Sequence, residues 1–178
     1  PHSGVAPDAG ILSINVFSRF TTDTVCGEGQ APCIRTWTSD QVAALDLVLS
    51  MSGSMPPTTV NMSLGGGTSA GHCDSDPRAT PIAALRQAGI LTVIASGNSG
   101  NKSGIAAPAC ISSSLAVGAT FATSDSVAPF SQSAPPLDLL APGVGITAEY
   151  PAHPAHPGAD FFITASGTSM AAPHVAGA

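Results

Sequence analysis

Ile90-Leu91-Thr92-Val93-Ile94-Ala95 is a short apolar run rich in β-branched residues, and it stops on Ser96-Gly97-Asn98. Such a run reads as a strand buried on both faces. Upstream, Thr59-Val60-Asn61-Met62-Ser63 reads as a second strand that runs into Gly65-Gly66-Gly67. Between them, Ala79 to Ala88 has helical spacing, with Ile82, Leu85 and Ala88 inward and Gly89 as the stop. A strand, a helix and a strand in series, with continuous apolar strands, specify a parallel sheet covered by helices.

The pattern extends outward from this unit. Ile11 to Phe17 reads as a further buried strand, and residues 18 to 37 as a polar loop. Thr38-Ser39-Asp40-Gln41 fits a capping box with Thr38 as N-cap, opening a helix to about Met51. Leu115 to Thr120 is a fourth strand. Asp138 to Ala141, Gly145 to Glu149 and Asp160 to Ala165 are shorter ones, the last two separated by the proline-rich turn Pro151 to Pro157. The expected fold class is α/β: a mostly parallel sheet with helices on both faces, in three layers. There is no internal repeat and no second domain. The first residues lack an initiator Met, and the last ones stop inside a helical pattern, so residues 1–178 are expected to be part of a domain cut at both ends.

Composition narrows the function. Lys and Arg number 5 against 11 Asp and Glu, a formal charge of -6. So few cations cannot neutralise many phosphates, which excludes a nucleic-acid partner and a polybasic membrane patch. No apolar run is long enough to suggest a membrane span. The four cysteines, Cys26, Cys33, Cys73 and Cys110, form no C-x-x-C pair and allow three pairings. Cys26–Cys33 closes a polar loop, which leaves Cys73–Cys110 by elimination. Disulfides imply an oxidising compartment, hence secretion; four free thiols in a cytosolic protein are the alternative. His72-Cys73-Asp74 has metal-binding side chains, but adjacent residues rarely converge on one ion, and no metal site is expected.

Ligands of open α/β sheets bind beyond the carboxyl ends of the strands. Ser63-Leu64-Gly65-Gly66, Ala95-Ser96-Gly97-Asn98 and Ser166-Gly167-Thr168-Ser169 all sit at such places. Ser169 follows a glycine turn and opens the helix Met170 to Ala178. There a hydroxyl lies among free N–H groups at the positive end of a helix dipole, where developing negative charge is stabilised. Taken singly, a helix-start serine is an N-cap and an asparagine after a strand is a turn residue. Their combination at consistent strand ends favours chemistry.

Gly167-Thr168-Ser169-Met170-Ala171-Ala172-Pro173-His174-Val175-Ala176-Gly177 resembles the nucleophile motif of the subtilisin-like serine proteases, the subtilases. Asn61 to Gly66 resembles that family's substrate-binding strand, Ala95 to Asn98 its oxyanion segment, and Gly4 to Ala9 the peptide after its histidine helix. Leu139-Leu140-Ala141-Pro142-Gly143 also matches. The motifs keep the family's order and span nearly the whole chain. The resemblance implies a secreted serine endopeptidase with a polypeptide substrate, monomeric when intact. Ser169 would be the nucleophile, with the Asn98 amide and the Ser169 N–H holding the oxyanion. Ser63, Leu64 and Gly65 would pair with substrate backbone. With Ala95, Ser96 and Gly97 they would line the pocket for the side chain before the scissile bond. None of these is charged, so a neutral side chain is expected there. Calcium is possible by the resemblance alone, since no D-x-[DN]-x-[DN]-G pattern is present.

The triad order Asp, His, Ser places the first two ahead of Gly4, and neither motif occurs in these residues. His174 lies about 140° around the helix from Ser169 and faces elsewhere. His2, His72, His153 and His156 fall in loops and are not expected to act as the base. The chain by itself is therefore expected to be inactive. A catalytically silent, peptide-binding relative is the alternative. An α/β-hydrolase is excluded because Gly167-Thr168-Ser169-Met170-Ala171 breaks G-x-S-x-G and only nine residues follow Ser169. A nucleotide-binding domain is excluded because G-x-x-x-x-G-K-[ST] is absent.

Overall fold

The computed structural model describes residues 4–53, 57–150 and 161–178. At its centre are four parallel strands: β3 (Thr59–Met62), β5 (Leu91–Ala95), β7 (Leu115–Phe121) and β8 (Leu139–Val144), side by side in that order. Alternation along each strand sends side chains to two cores. Ile94 of β5 and Ala116 of β7 face a core with Leu45 and Val48 of α2 (Thr38–Ser50) and with Ile82 and Leu85 of α3 (Ala79–Gln87). Val93, Ala95, Val117 and Ala119 face the other way, onto Ala171 and Ala172 of α4 (Thr168–Gly177). Alanines on both sides let α4 lie close against the sheet. The expected three layers, a parallel sheet with helices on both faces, are those observed.

Three small antiparallel pairs surround this sheet. β1 (Phe17–Phe20) pairs with β2 (Cys33–Thr36), flanking the short α1 (Asp23–Cys26). β4 (Gly66–Ser69) pairs with β6 (Ile105–Ala107), and β9 (Ile146–Tyr150) with β10 (Phe161–Ala165). The disulfides are Cys26–Cys33, joining the end of α1 to the start of β2, and Cys73–Cys110, just beyond the β4–β6 pair. β8 forms one edge of the sheet and carries Pro142, a residue that sheets accept at edges.

Several expectations are corrected. Residues 11–16 form no strand: Ile11 is 91% exposed, and no strand among the described residues pairs with the segment. An apolar run alone does not make a ladder when no partner backbone lies alongside. Residues 18–37 are not a loop but the disulfide-closed hairpin, whose strands of four residues are too short and too polar to stand out. Thr38 is not the N-cap. Trp37 takes that position with an extended backbone and no side-chain cap bond. Gly66 and Gly67, into which the second expected strand runs, open the separate strand β4. Ala88 is exposed, because α3 ends at Gln87. Helix α4 begins at Thr168, so Ser169 lies inside its first turn. The turn expected over Pro151–Pro157 lies outside the described residues.

The capping box fails because Gln41 has a stronger use. It is 4% exposed, and its Oε1 accepts a hydrogen bond from Arg78 Nη1 at 2.7 Å, while its Nε2 donates to Thr36 Oγ1 at 3.3 Å. Arg78 in turn grips Asp76 at 2.7 and 2.6 Å through Nε and Nη2. This network ties α2 to the start of α3. The Arg78 guanidinium also holds the Asp76 carboxyl below the usual carboxylate range. A depressed folded-state pKa stabilises the fold above the unfolded value, and that stability is lost as pH falls through the folded one. Asp76→Asn is expected to cost about 2 kcal/mol at neutral pH, the scale of a charged hydrogen bond whose partner is left behind. The difference from wild type should shrink in denaturant titrations at successively lower pH.

Candidate active site

The parallel register sets Met62 beside Ile94, so β3 and β5 end at the same level. Beyond them the chain continues as Ser63–Gly65 and Ser96–Asn98. Helix α4 starts against these ends. Its leading Gly167 donates its N–H to the Gly143 carbonyl at 2.8 Å. A Cβ at Gly143 would lie 2.8 Å from the Gly167 carbonyl oxygen and 2.7 Å from Ala119 Cβ. The Ala141-Pro142-Gly143 segment therefore ends in the residue that lets the two chains touch.

Thr168 is fully buried and joins the elements. Its N–H donates to Asn98 Oδ1 at 2.8 Å, and its hydroxyl donates to the same oxygen at 2.9 Å. The hydroxyl also accepts the Gly97 N–H at 3.1 Å. A free N–H of the first helical turn thus finds its acceptor in a neighbouring side chain. With two donors on its oxygen, the Asn98 side chain has its orientation set: Oδ1 is committed to Thr168, and Nδ2 donates to no partner among the described residues.

Ser169 and Ser63 hold each other. The Ser169 hydroxyl donates to the Ser63 carbonyl at 3.2 Å, and the Ser63 hydroxyl donates to the Ser169 carbonyl at 2.8 Å. The second bond depends on Pro173. A residue four places after Ser169 would ordinarily donate its N–H to that carbonyl, and proline has none. The carbonyl is therefore left to Ser63.

A cavity of about 650 Å³ opens at this junction. Ser63, Leu64, Gly65, Ala95, Gly97, Asn98 and Ser169 all line it. Ser96 does not. It is fully buried, and its hydroxyl donates to the Gln132 carbonyl. The β4–β6 ribbon supplies Gly66, Gly67, Thr68 and Ala106, and Thr168 and Gln132 also reach the cavity. Gly66 and Thr168 fall within the peptides the sequence places at strand ends but carry no role of their own there, and Gly67, Thr68, Ala106 and Gln132 are not singled out by the sequence. The ribbon could have been suspected from the glycines after β3, and Thr168 from its place beside Ser169. Gln132 has no local signal. No charged side chain lines the cavity.

Among the described residues, no imidazole or carboxylate is hydrogen-bonded to the Ser169 hydroxyl. His174 engages the Met170 carbonyl at 2.8 Å and His72 that of Cys110 at 3.3 Å. His2, His153 and His156 lie outside the described residues. Asp74 accepts the Ser112 N–H at 2.8 Å, and this bond, helped by His72, holds its carboxyl below the usual range. His72 and Asp74 are thus occupied elsewhere, and Cys73 is in its disulfide. Among the described residues, no three His, Cys, Asp or Glu side chains converge as metal ligands.

The profile described as the subtilase family, Peptidase_S8, matches residues 1–178. The chain is 37% identical over 140 residues to the extracellular serine proteinase of Thermus sp. (strain Rt41A), covering 79% of this chain and 31% of that protein. It is 34% identical over 178 residues to subtilisin Savinase of Lederbergia lenta, covering 98% and 54%. Among solved structures, a cold adapted subtilisin-like serine proteinase superposes with a TM-score of 0.60 at 34% identity, covering 80% of this chain and 46% of that one. The protease domain of PatA, as an S218A mutant, gives 0.66 at 27%, covering 80% and 48%. The chain belongs to the subtilase family of serine proteases. It spans about a third to a half of the length of these relatives.

Thr168→Val is expected to cost about 1–2 kcal/mol, because it leaves the Gly97 N–H without an acceptor and Asn98 Oδ1 with one donor fewer. Thr168→Ser should restore most of the loss. The denaturant midpoints of the two variants measure this.

Proposed function

We propose that these residues form the nucleophile-bearing part of a secreted serine endopeptidase. The observation that carries the reading is the pinned Asn98 amide: its oxygen is committed to Thr168, its Nδ2 has no partner among the described residues, and Asn98 and Ser169 line one cavity. Preorganised donors of this kind act where charge develops during acyl transfer. Ser169 Oγ would turn from the Ser63 carbonyl and attack a peptide carbonyl. Its proton would pass to a histidine held outside these 178 residues and then to the leaving amine. The carbonyl oxygen would become an oxyanion between Asn98 Nδ2 and the Ser169 N–H, and water would hydrolyse the acyl-enzyme. Ser63, Leu64 and Gly65 would take the substrate as an added strand. The two disulfides and the extracellular name of the Thermus relative support secretion, and no helix among the described residues is long and apolar enough to cross a membrane. The intact protein is taken as a monomer with part of its catalytic domain in residues 1–178.

A silent peptide-binding role is the second reading. It is favoured by the Ser169 hydroxyl donating to a carbonyl rather than to a base. The two separate in the full-length protein. An active-site titrant should give a burst that Ser169→Ala abolishes, whereas a peptide binder gives none. Residues 1–178 alone should give no burst. Asn98→Ala should lower kcat about tenfold to a hundredfold with KM little changed: one hydrogen bond to a charged group contributes about 1.5–3 kcal/mol, and each 1.4 kcal/mol is about tenfold in rate.

The uncharged cavity walls lead to a second expectation. A peptide library should show apolar or neutral side chains before the cleaved bond, and a profile dominated by Arg or Lys would contradict the assignment of this pocket.

A further inference from the structure

We infer that Gln132 is a positioning residue for Asn98: it fixes the backbone on both sides of the oxyanion donor. This rests on the endopeptidase reading above and adds a residue to it. Gln132 follows β7 and lies more than thirty residues from the Ser96–Ser99 loop in sequence. It is 3% exposed. Its backbone N–H donates to the Gly97 carbonyl at 3.0 Å, and its carbonyl accepts the Ser96 hydroxyl at 3.1 Å. Its side-chain Oε1 accepts the Ser99 N–H at 3.3 Å, and its Nε2 donates to the Gly104 carbonyl at 3.1 Å.

Two of these four bonds bracket Asn98, and the Ser96 bond adds a third hold on the same loop. Residues 97 and 99 are each held to Gln132, and residue 98 carries the donor between them. Flanking bonds continue the attachment: the Gly100 N–H donates to the Phe130 carbonyl at 2.7 Å, and the Ser133 N–H to the Asn101 carbonyl at 2.9 Å. Thr168 fixes the Asn98 side chain from the α4 side; Gln132 fixes its backbone from the other. A donor that must meet an oxyanion gains from both, because a loop free to relax would have to reorganise at each turnover. The amide is also what the place requires. The Ser99 N–H and the Gly104 carbonyl need one acceptor and one donor, and a single amide supplies both.

The same side chain explains Gly97. A Cβ at residue 97 would fall 2.1 Å from Gln132 Oε1, and Gly97 sits at φ +110. The carboxamide therefore lies directly over the glycine at the cavity wall.

The test is a double-mutant cycle in the full-length protein with Gln132→Met, which keeps the volume and removes the amide, and Asn98→Ala. Gln132→Met should lower kcat about tenfold while KM changes less than about twofold. In the Asn98→Ala background, where the donor is gone, the same change should cost less than about threefold. Equal losses in the two backgrounds would overturn the inference and leave Gln132 a packing residue. Hydrogen–deuterium exchange of the 97–101 segment provides a readout that needs no turnover. Gln132→Met should speed it well above wild type, and unchanged exchange overturns the inference as well. Absence of any serine-dependent cleavage by wild type would instead count against the endopeptidase reading. Gln132→Glu enters the same cycle and exchange measurements if the methionine variant does not fold.

Discussion

The Thr168 hydroxyl is the point on which the site depends. It donates a hydrogen bond to Asn98 Oδ1 and accepts one from the Gly97 N–H, so it spans two segments some seventy residues apart. The sheet makes the meeting possible by ending β3 and β5 at one level. The small side chains of α4 bring the helix start down onto that rim. One buried hydroxyl then sets the direction of an exposed amide. Replacing the hydroxyl by a methyl would keep the packing and leave the backbone N–H of Thr168 alone to set that direction.

Proline contributes in the same region by omission. Because Pro173 has no N–H, the Ser169 carbonyl accepts the Ser63 hydroxyl instead. The first turn of α4 is thereby linked to the strand end that would carry substrate. A helix with an unbroken ladder would have spent that carbonyl internally. The helix interior gives up one bond, and the site gains a contact between its two serines.

The fold was largely readable because its centre uses strong, local patterns. Val93 and Ile94 on β5 and Ile82 and Leu85 on α3 are fully buried, as continuous apolar strands and helical spacing require. The reading failed where apolar character had no partner, as at Ile11, and where short polar strands depended on a crosslink, as between Phe17 and Thr36. It also failed at Gln41, whose pairing with Arg78 outweighs a local cap. The candidate site was legible at Ser63–Gly65, Asn98 and Ser169, which stand next to strand and helix ends. It was not legible at Ser96, which turns inward, nor at Gln132, whose part depends wholly on tertiary placement.

Pro142 has a consequence for how this sheet can be extended. β8 is one border of the four strands, and a ring without an N–H interrupts its row of backbone donors. A stray polypeptide laid along that border would meet a gap partway, which disfavours accretion there. At the opposite border, Thr59–Met62 of β3 contains no proline, and no strand lies outside it among the described residues. Lengthening of the sheet is thus biased to one direction, toward the flank that leads into Ser63.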